Sequence, residues 1–349
     1  MSDLSSNAPP KSTFLRFFDL KTQIHKLKNI SLGLVLCIVI TLTAKIFSTF
    51  YAVPVMVVAL LIGLVLHYIT AKKESLKSGI HFTARHVLKL GVVLLGARIA
   101  FSDITDLGFN TVAITIFTSI AVIGISMLCA KLAGAEKSLG ILIGGATAIC
   151  GASAAIALST VMPRSKNLEN NTLFAVIGAT AIGTIAMIIY PFIMSVTDFT
   201  SHESGVLIGG TIHDVSQVVG AGYSISSETG DTAILIKLTR VFMLGPIILA
   251  FMFLNRGQKQ SSEKPEFPIF LIWFSALVIL NSYHFIPTEW VSFLSQASKW
   301  LLVTGIAAMG VKTSLDKLFS LGWKPLILIL IDTSVISAIY YSVVLLHWI

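Results

Sequence analysis

The sequence predicts an all-α polytopic membrane protein of about 9–11 transmembrane helices, with two glycine-rich interrupted or re-entrant segments and an inverted repeat. Three observations predict it. Hydrophobic residues fill 55% of the 349 positions and charged residues 12%, with a mean hydropathy of +0.86, where a soluble domain carries about 25% charged residues. The stretches 46–71, 107–130, 138–163, 170–197 and 267–288 hold no Asp, Glu, Lys or Arg, and each exceeds the roughly 20 residues that a spanning helix needs. Two further segments open on the same G-[IV]-L-I-G-G pattern and are too rich in glycine to run straight through lipid.

Taken in order, residues 1–29 form a polar start followed by Lys11, Arg16, Lys21, Lys26 and Lys28 interleaved with Phe and Leu. No apolar core with a small-residue cleavage site follows, so this is read as a cytoplasmic tail rather than a removable signal. Residues 30–349 read as one transmembrane domain of about eleven hydrophobic segments. The net charge of +8 needs no nucleic-acid partner, because cytoplasmic loops concentrate Lys and Arg. The segments 72–89 (Lys72, Lys73, Lys77, Arg85, Lys89), 131–137, 256–264 (Arg256, Lys259, Lys264) and 312–324 (Lys312, Lys317, Lys324) are basic and read as cytoplasmic. Those holding Asp103 and Asp106, Asp198 and Glu203, Glu228 and Asp231, and Glu289 are acidic and read as exterior. This places the N-terminus inside and the C-terminus outside.

The two glycine-rich segments are GILIGGATAICGASAAIALS (140–159) and GVLIGGTIHDVSQVVGAGYS (205–224). Irregular backbone survives at membrane depth only inside protein or beside water. If both re-enter, Arg164 and Lys166 fall on the basic side, Asp198 and Glu203 on the acidic side, and the two enter from opposite faces. If both cross, these loops break the charge rule. A second self-similarity pairs LGARIAFSDITDLG (95–108) with MGVKTSLDKLFSLG (309–322), 214 positions apart, and sets Pro54 on Pro268. The paired units run in opposite directions, which is the inverted-repeat pattern of secondary transporters. The 214-residue offset and the 65-residue offset of the glycine segments do not combine into one simple duplication.

Charges within apolar segments carry the functional information, because each costs about 2.5–3.5 kcal/mol to insert. They are Arg98, His213, Asp214, Lys237, Arg240 and Asp332, with Lys45, Lys299 and Lys312 closer to helix ends. Lys237 and Arg240 are three apart and share a helix face, so they want an anion: Asp214 as counter-ion, or a substrate. Arg98 and Lys312 also fit snorkelling to the interface. His213 also fits a hydrogen-bonded core role, and Asp332, in LILILIDTSVIS, a buried pair or a kink-associated residue. The glycines also fit close helix packing. Cys37, Cys129 and Cys150 lack metal or redox spacing, and no metal, phosphate-loop or nucleophile-elbow motif occurs, so neither metal nor cofactor is expected.

The segments GGATAICGASAAIA, GGTIHDVSQVVGAG, ILIKLTRV and GVKTSL resemble the signature segments of bacterial multi-pass proteins described as sulfate exporters, over residues from about 30 to the C-terminus. That family is thought related in fold to cation/proton antiporters and bile-acid symporters. The resemblance implies paired interrupted helices in a core that moves against a scaffold, a bacterial inner-membrane location, and a second segment that crosses fully. Asp332 matches no motif of the family.

Half-helix N-termini beside Gly144-Gly145 and Gly209-Gly210 would seat an oxyanion, with Lys237 and Arg240 adding charge and His213 and Asp214 balancing it or carrying a coupling proton. The function expected is secondary transport of a small anion, such as sulfate, sulfite or a sulfonate, with proton or ion coupling. The partners are the bilayer and the anionic substrate, with no nucleic acid; assembly into a homo-oligomer is compatible with the sequence. The alternatives are an anion channel and an intramembrane enzyme using His213 and Asp214, although adjacent helical residues point about 100° apart.

Overall fold

The computed structural model describes residues 20–51, 53–70, 73–256, 268–313 and 322–348. Lys11, Arg16, Lys72, Lys259, Lys264 and Lys317, read above as cytoplasmic, lie outside the described residues. Within them every regular element is helical. Helix α1 (Leu20–Tyr51) is followed by α2 (Val55–Thr70) and by α3 (Glu74–Phe82), which continues through a π-helical turn at Thr83–Val87 into α4 (Leu88–Leu95). The basic segment 72–89 is therefore mostly helix rather than loop, and Arg85 and Lys89 lie within it. Then come α5 (Phe101–Asp106), α6 (Gly108–Leu132), α7 (Lys137–Gly145), α8 (Ala152–Val161), α9 (Leu168–Ser195), α10 (Ser201–Thr211), α11 (Val215–Ile225), α12 (Ser227–Phe242), α13 (Leu244–Leu254), α14 (Ile269–Ser282), α15 (Thr288–Lys312) and α16 (Trp323–Leu345). Helix α1 from Ile30, α6, α9, the pair α12–α13 and α16 are each long and apolar enough to cross a bilayer.

Both glycine-rich segments are re-entrant hairpins. In the first, α7 runs into a π-helical turn (Ala146–Cys150) and stops at Gly151, whose φ of +63° suits only glycine, before α8 turns back. Its two ends meet at one face. Glu136, before α7, accepts from Asn171 Nδ2 at 3.1 Å and from Asn167, at the start of α9, while Asn255, after α13, donates to the Val161 carbonyl at 3.1 Å. In the second hairpin α10 breaks over 212–214 and α11 returns. Its ends also meet, because Thr229 Oγ1 donates to the Ser201 carbonyl at 3.1 Å. The caps are legible in the sequence: Thr200 with Glu203, Asp214 with Gln217, and Ser226 accepting from the Thr229 N–H. The full crossing implied by family resemblance for the second segment is thus replaced by a hairpin, since the hydroxyl pairing at its mouth brings both ends to the same side.

The remaining segments alternate between two faces. One carries Lys73, Lys77, Lys131, Lys137, Arg164, Lys166, Arg256 and Lys324; the other carries Asp103, Asp106, Asp198, Glu203, Glu228 and Glu289. Contacts at helix ends confirm each side: His67 Nδ1 lies 2.7 Å from the Val311 carbonyl and Lys324 Nζ donates to Gly134 O at 3.5 Å on the basic face. On the acidic face the Phe101 N–H donates to Ser282 Oγ at 2.7 Å. Hairpin 1 enters from the basic face and hairpin 2 from the acidic face.

Two bundles result. A scaffold packs α1, α2, α3–α4, α14 and α15; a core packs α6 to α13 with α16. Small residues set the scaffold crossings. A Cβ on Gly33 would stand 2.5 Å from the Ile80 nitrogen, and one on Gly63 2.6 Å from the Ala307 carbonyl, so neither crossing admits a side chain. Helix α6 lies on α7, and α16 lies on α10. Gly108 and Gly322, paired by the sequence repeat, share a φ of +76° and open α6 and α16, which run in opposite directions.

Candidate functional site

The two hairpin tips meet inside the core. A Cβ on Gly151 would lie 3.5 Å from Asp214 Oδ2, so the break of hairpin 1 rests on the break of hairpin 2. A broken helix leaves terminal carbonyls without partners on one side and N–H groups on the other, and the structure treats the two kinds of end differently.

The carbonyl ends are closed by α12. Arg240 is buried and donates from Nε to the Ala148 carbonyl and from Nη2 to the Thr147 carbonyl, each at 2.6 Å, and from Nη1 to the Gly210 carbonyl. Lys237, also buried, donates to the Ile212 carbonyl at 2.9 Å. One planar guanidinium thus joins both hairpins, at the ends where the helix dipole is negative. Neither cation lines the cavity described below, and among the described residues no ion pair joins Asp214 to either of them. Neutral backbone carbonyls stand where the sequence calls for an anion.

Gly144, Gly145, Gly209 and Gly210 sit in the C-terminal turns of α7 and α10, not at half-helix N-termini as expected from sequence. They serve close approach. A side chain at Gly144 would meet Ser126 Cβ at 2.7 Å, and side chains at Gly145, Gly209 and Gly210 would run into Leu158, the Ala233 carbonyl and the Tyr340 ring.

The N–H ends face a cavity of about 500 Å³ between core and scaffold. Ala152 and Ser153 from α8 and Asp214, Val215 and Ser216 from hairpin 2 line it on one side; Arg85, Lys89 and Lys312 line it from the scaffold. Pro268 and Thr313, at the basic-face ends of α14 and α15, also line it. The two N-termini differ. Asp214 caps α11, its carboxylate accepting from the Ser216 N–H at 2.9 Å and from the Ser216 hydroxyl. Helix α8 has Gly151 at its cap position and no side-chain cap. Its dipole end lines the same cavity as the scaffold cations, with the Asp214 carboxylate of hairpin 2 beside Gly151.

His213 and Asp214 part company. His213 is buried and its Nε2 lies 3.0 Å from Thr333 Oγ1 on α16, whereas Asp214 faces the cavity. Arg98 binds Asp231 on the acidic face, joined by Tyr223, whose hydroxyl donates to Asp231 at 2.6 Å. Asp332 is buried in α16 away from the cavity lining. Sequence reasoning placed Arg85 and Lys89 in a loop and did not single out Ser153 or Ser216. Arg85 and Lys89 are four apart, one helical turn, and that spacing was the signal for a shared face.

Inverted re-entrant hairpins meeting tip to tip beside a cation-lined cavity define a polytopic helical membrane protein built around interrupted helices. The chain belongs to the family described as "Conserved hypothetical protein 698", matched over residues 32–329, the membrane family to which the signature segments point. It is 41% identical to "UPF0324 membrane protein CT0845" of Chlorobaculum tepidum, over 86% of this chain and 85% of that one. It is 42% identical to "UPF0324 membrane protein TauZ" of Paracoccus pantotrophus, over 86% and 90%. With "UPF0324 inner membrane protein YeiH" of Escherichia coli it shares 34% identity over 74% and 75%. No solved structure matches the chain.

Proposed function

We propose that this protein is a secondary transporter of a small oxyanion of the sulfate, sulfite or sulfonate class, set in a bacterial inner membrane with its N-terminus cytoplasmic and its C-terminus exterior. One observation carries the reading: the N-terminus of α8, which has no side-chain cap, shares a cavity between the two bundles with Arg85, Lys89 and Lys312 of the scaffold. Open N–H groups and a positive dipole end bind an oxyanion, and guanidinium and ammonium groups opposite complete its charge. Inverted halves with interrupted helices at the midplane support alternating access, with the core moving against the scaffold. The basic face, toward which the cavity lies, is cytoplasmic by the positive-inside rule. The divergence of His213 and Asp214 removes the geometric ground for an acid–base pair acting on one atom.

Reconstituted into proteoliposomes with an imposed pH or sodium gradient, the protein is expected to accumulate at least one of labelled sulfate, sulfite or a small sulfonate. Lys312→Ala should raise the half-saturating concentration roughly tenfold or more, the cost of truncating one member of a desolvated charge pair. Gradient-independent flux would favour a channel. Turnover of a covalent substrate in detergent would favour an enzyme.

A further inference from the structure

Asp332 lies in the middle of α16, 0% exposed, and neither carboxylate oxygen has a hydrogen-bond partner. Helix α16 packs against α6, α7 and the turn after it, α9 and α10. From α6 the Ser126 hydroxyl faces the carboxylate; it too closes no hydrogen bond, and Gly140 and Gly144 of hairpin 1 press against it. From α9 comes Tyr190, whose hydroxyl is 3.0 Å from Ser337 Oγ. From the break after α10 comes His213, bound to Thr333, the next residue along α16, with its Nδ1 unpartnered. The turn after α7 offers Cys150, buried at the tip. On α16 itself Tyr340 donates to Thr115 at 3.0 Å, and Lys324 reaches the Gly134 carbonyl at the basic face. The cations of α12, Lys237 and Arg240, are committed to hairpin carbonyls. Among the described residues no cation pairs with Asp332.

A bare ionised carboxylate in such a place is costly, and taking up a proton removes the charge and supplies a donor for a neighbouring oxygen. We propose that Asp332 is the site that binds the coupling proton, with Ser126 as its hydrogen-bond partner. The proton adds to one carboxylate oxygen from water on one side of the membrane and leaves to water on the other. The Thr333–His213 contact links this site to the tip of hairpin 2, one residue from Asp214, so the state of the carboxyl is transmitted to the element that lines the anion cavity. Asp214, by contrast, is engaged as the cap of α11. The coupling role rests on the transport reading above; the proton site itself does not.

Two measurements separate the two. In proteoliposomes Asp332→Asn, which keeps shape and hydrogen bonding but cannot release a proton, should lose pH-gradient-driven accumulation of the labelled anion while retaining anion exchange at equal pH. Gradient-driven accumulation by Asp332→Asn overturns the coupling role. In wild-type protein, dicyclohexylcarbodiimide, which reacts with protonated carboxyls in apolar surroundings, should modify Asp332, with a yield that falls as the pH is raised between about 5 and 9. Peptide mapping that finds no adduct on Asp332 across that range overturns the proton site, whether or not any of the anions is transported.

Discussion

Arg240 shows how much one side chain carries in a protein built from broken helices. Its three nitrogens serve three carbonyls drawn from two hairpins that are far apart in sequence. Each buried carbonyl left without a donor costs about 1–3 kcal/mol, so Arg240→Ala should lose most or all of its cooperative thermal transition in detergent. Arg240→Lys should recover only part, because an ammonium lacks the planar fork that spans the three acceptors. Lys237→Ala exposes the Ile212 carbonyl alone and should cost about 1–3 kcal/mol. If Arg240→Ala instead melted like wild type but lost stabilisation by added sulfate, the residue would belong to the anion site. Sequence made the pair visible, because two cations one helical turn apart in an apolar run demand anions. It could not show that carbonyl dipoles would meet them instead, since backbone carbonyls have no sequence signature and come into place only when both helices break.

At the scale of elements, the hairpins depend on ties at their mouths as much as on their glycines. Hairpin 1 is closed by Glu136, exposed at the basic face, and the Asn167 amide, followed by Ser138, Asn171 and Ser165, holds its carboxyl below the usual carboxylate range. A carboxyl held low by folding favours the folded form above the unfolded range, near pH 4, and that contribution disappears as the pH falls through the folded value. Hydrogen exchange should therefore show the first turns of α7 and α9 better protected in wild type than in Glu136→Gln at neutral pH, with the difference closing below about pH 4. A difference that persists in acid would assign the tie to shape rather than charge. The repeated G-[IV]-L-I-G-G opening exposed both interruptions in the sequence. Whether each segment returned or crossed was not legible, because the deciding contacts, Glu136 with Asn167 and Ser201 with Thr229, pair polar residues of ordinary loop type.

For the whole molecule the two sequence offsets become compatible once direction and order are separated. Helices α2, α4, α6 and hairpin 1 form one half; α14, α15, α16 and hairpin 2 form the other, inverted, with its hairpin placed before its long helix in the chain instead of after it. Elements paired in this way stand 214 positions apart in the helices and 65 in the hairpins. The arrangement leaves scaffold and core joined on the acidic face by Arg98, after α4, with Asp231 and Tyr223 of the core, opposite the side where the cavity lies. Under the alternating access proposed above, opening toward the acidic face requires that tie to part. Arg98→Ala or Asp231→Asn should therefore raise the labelling of a cysteine at Ser153 by a membrane-impermeant thiol reagent added outside, in a background lacking Cys37, Cys129 and Cys150. In the same background a cysteine at Asp103 should label from outside and one at Asn255 should not, which fixes the orientation independently. The exchanged pair Arg98→Asp with Asp231→Arg should return Ser153 labelling toward the unsubstituted rate, since coupling between contacting charges is not additive. Labelling that ignores all three changes would show that the bundles are held apart or together by other contacts, and that this ion pair is ordinary surface structure.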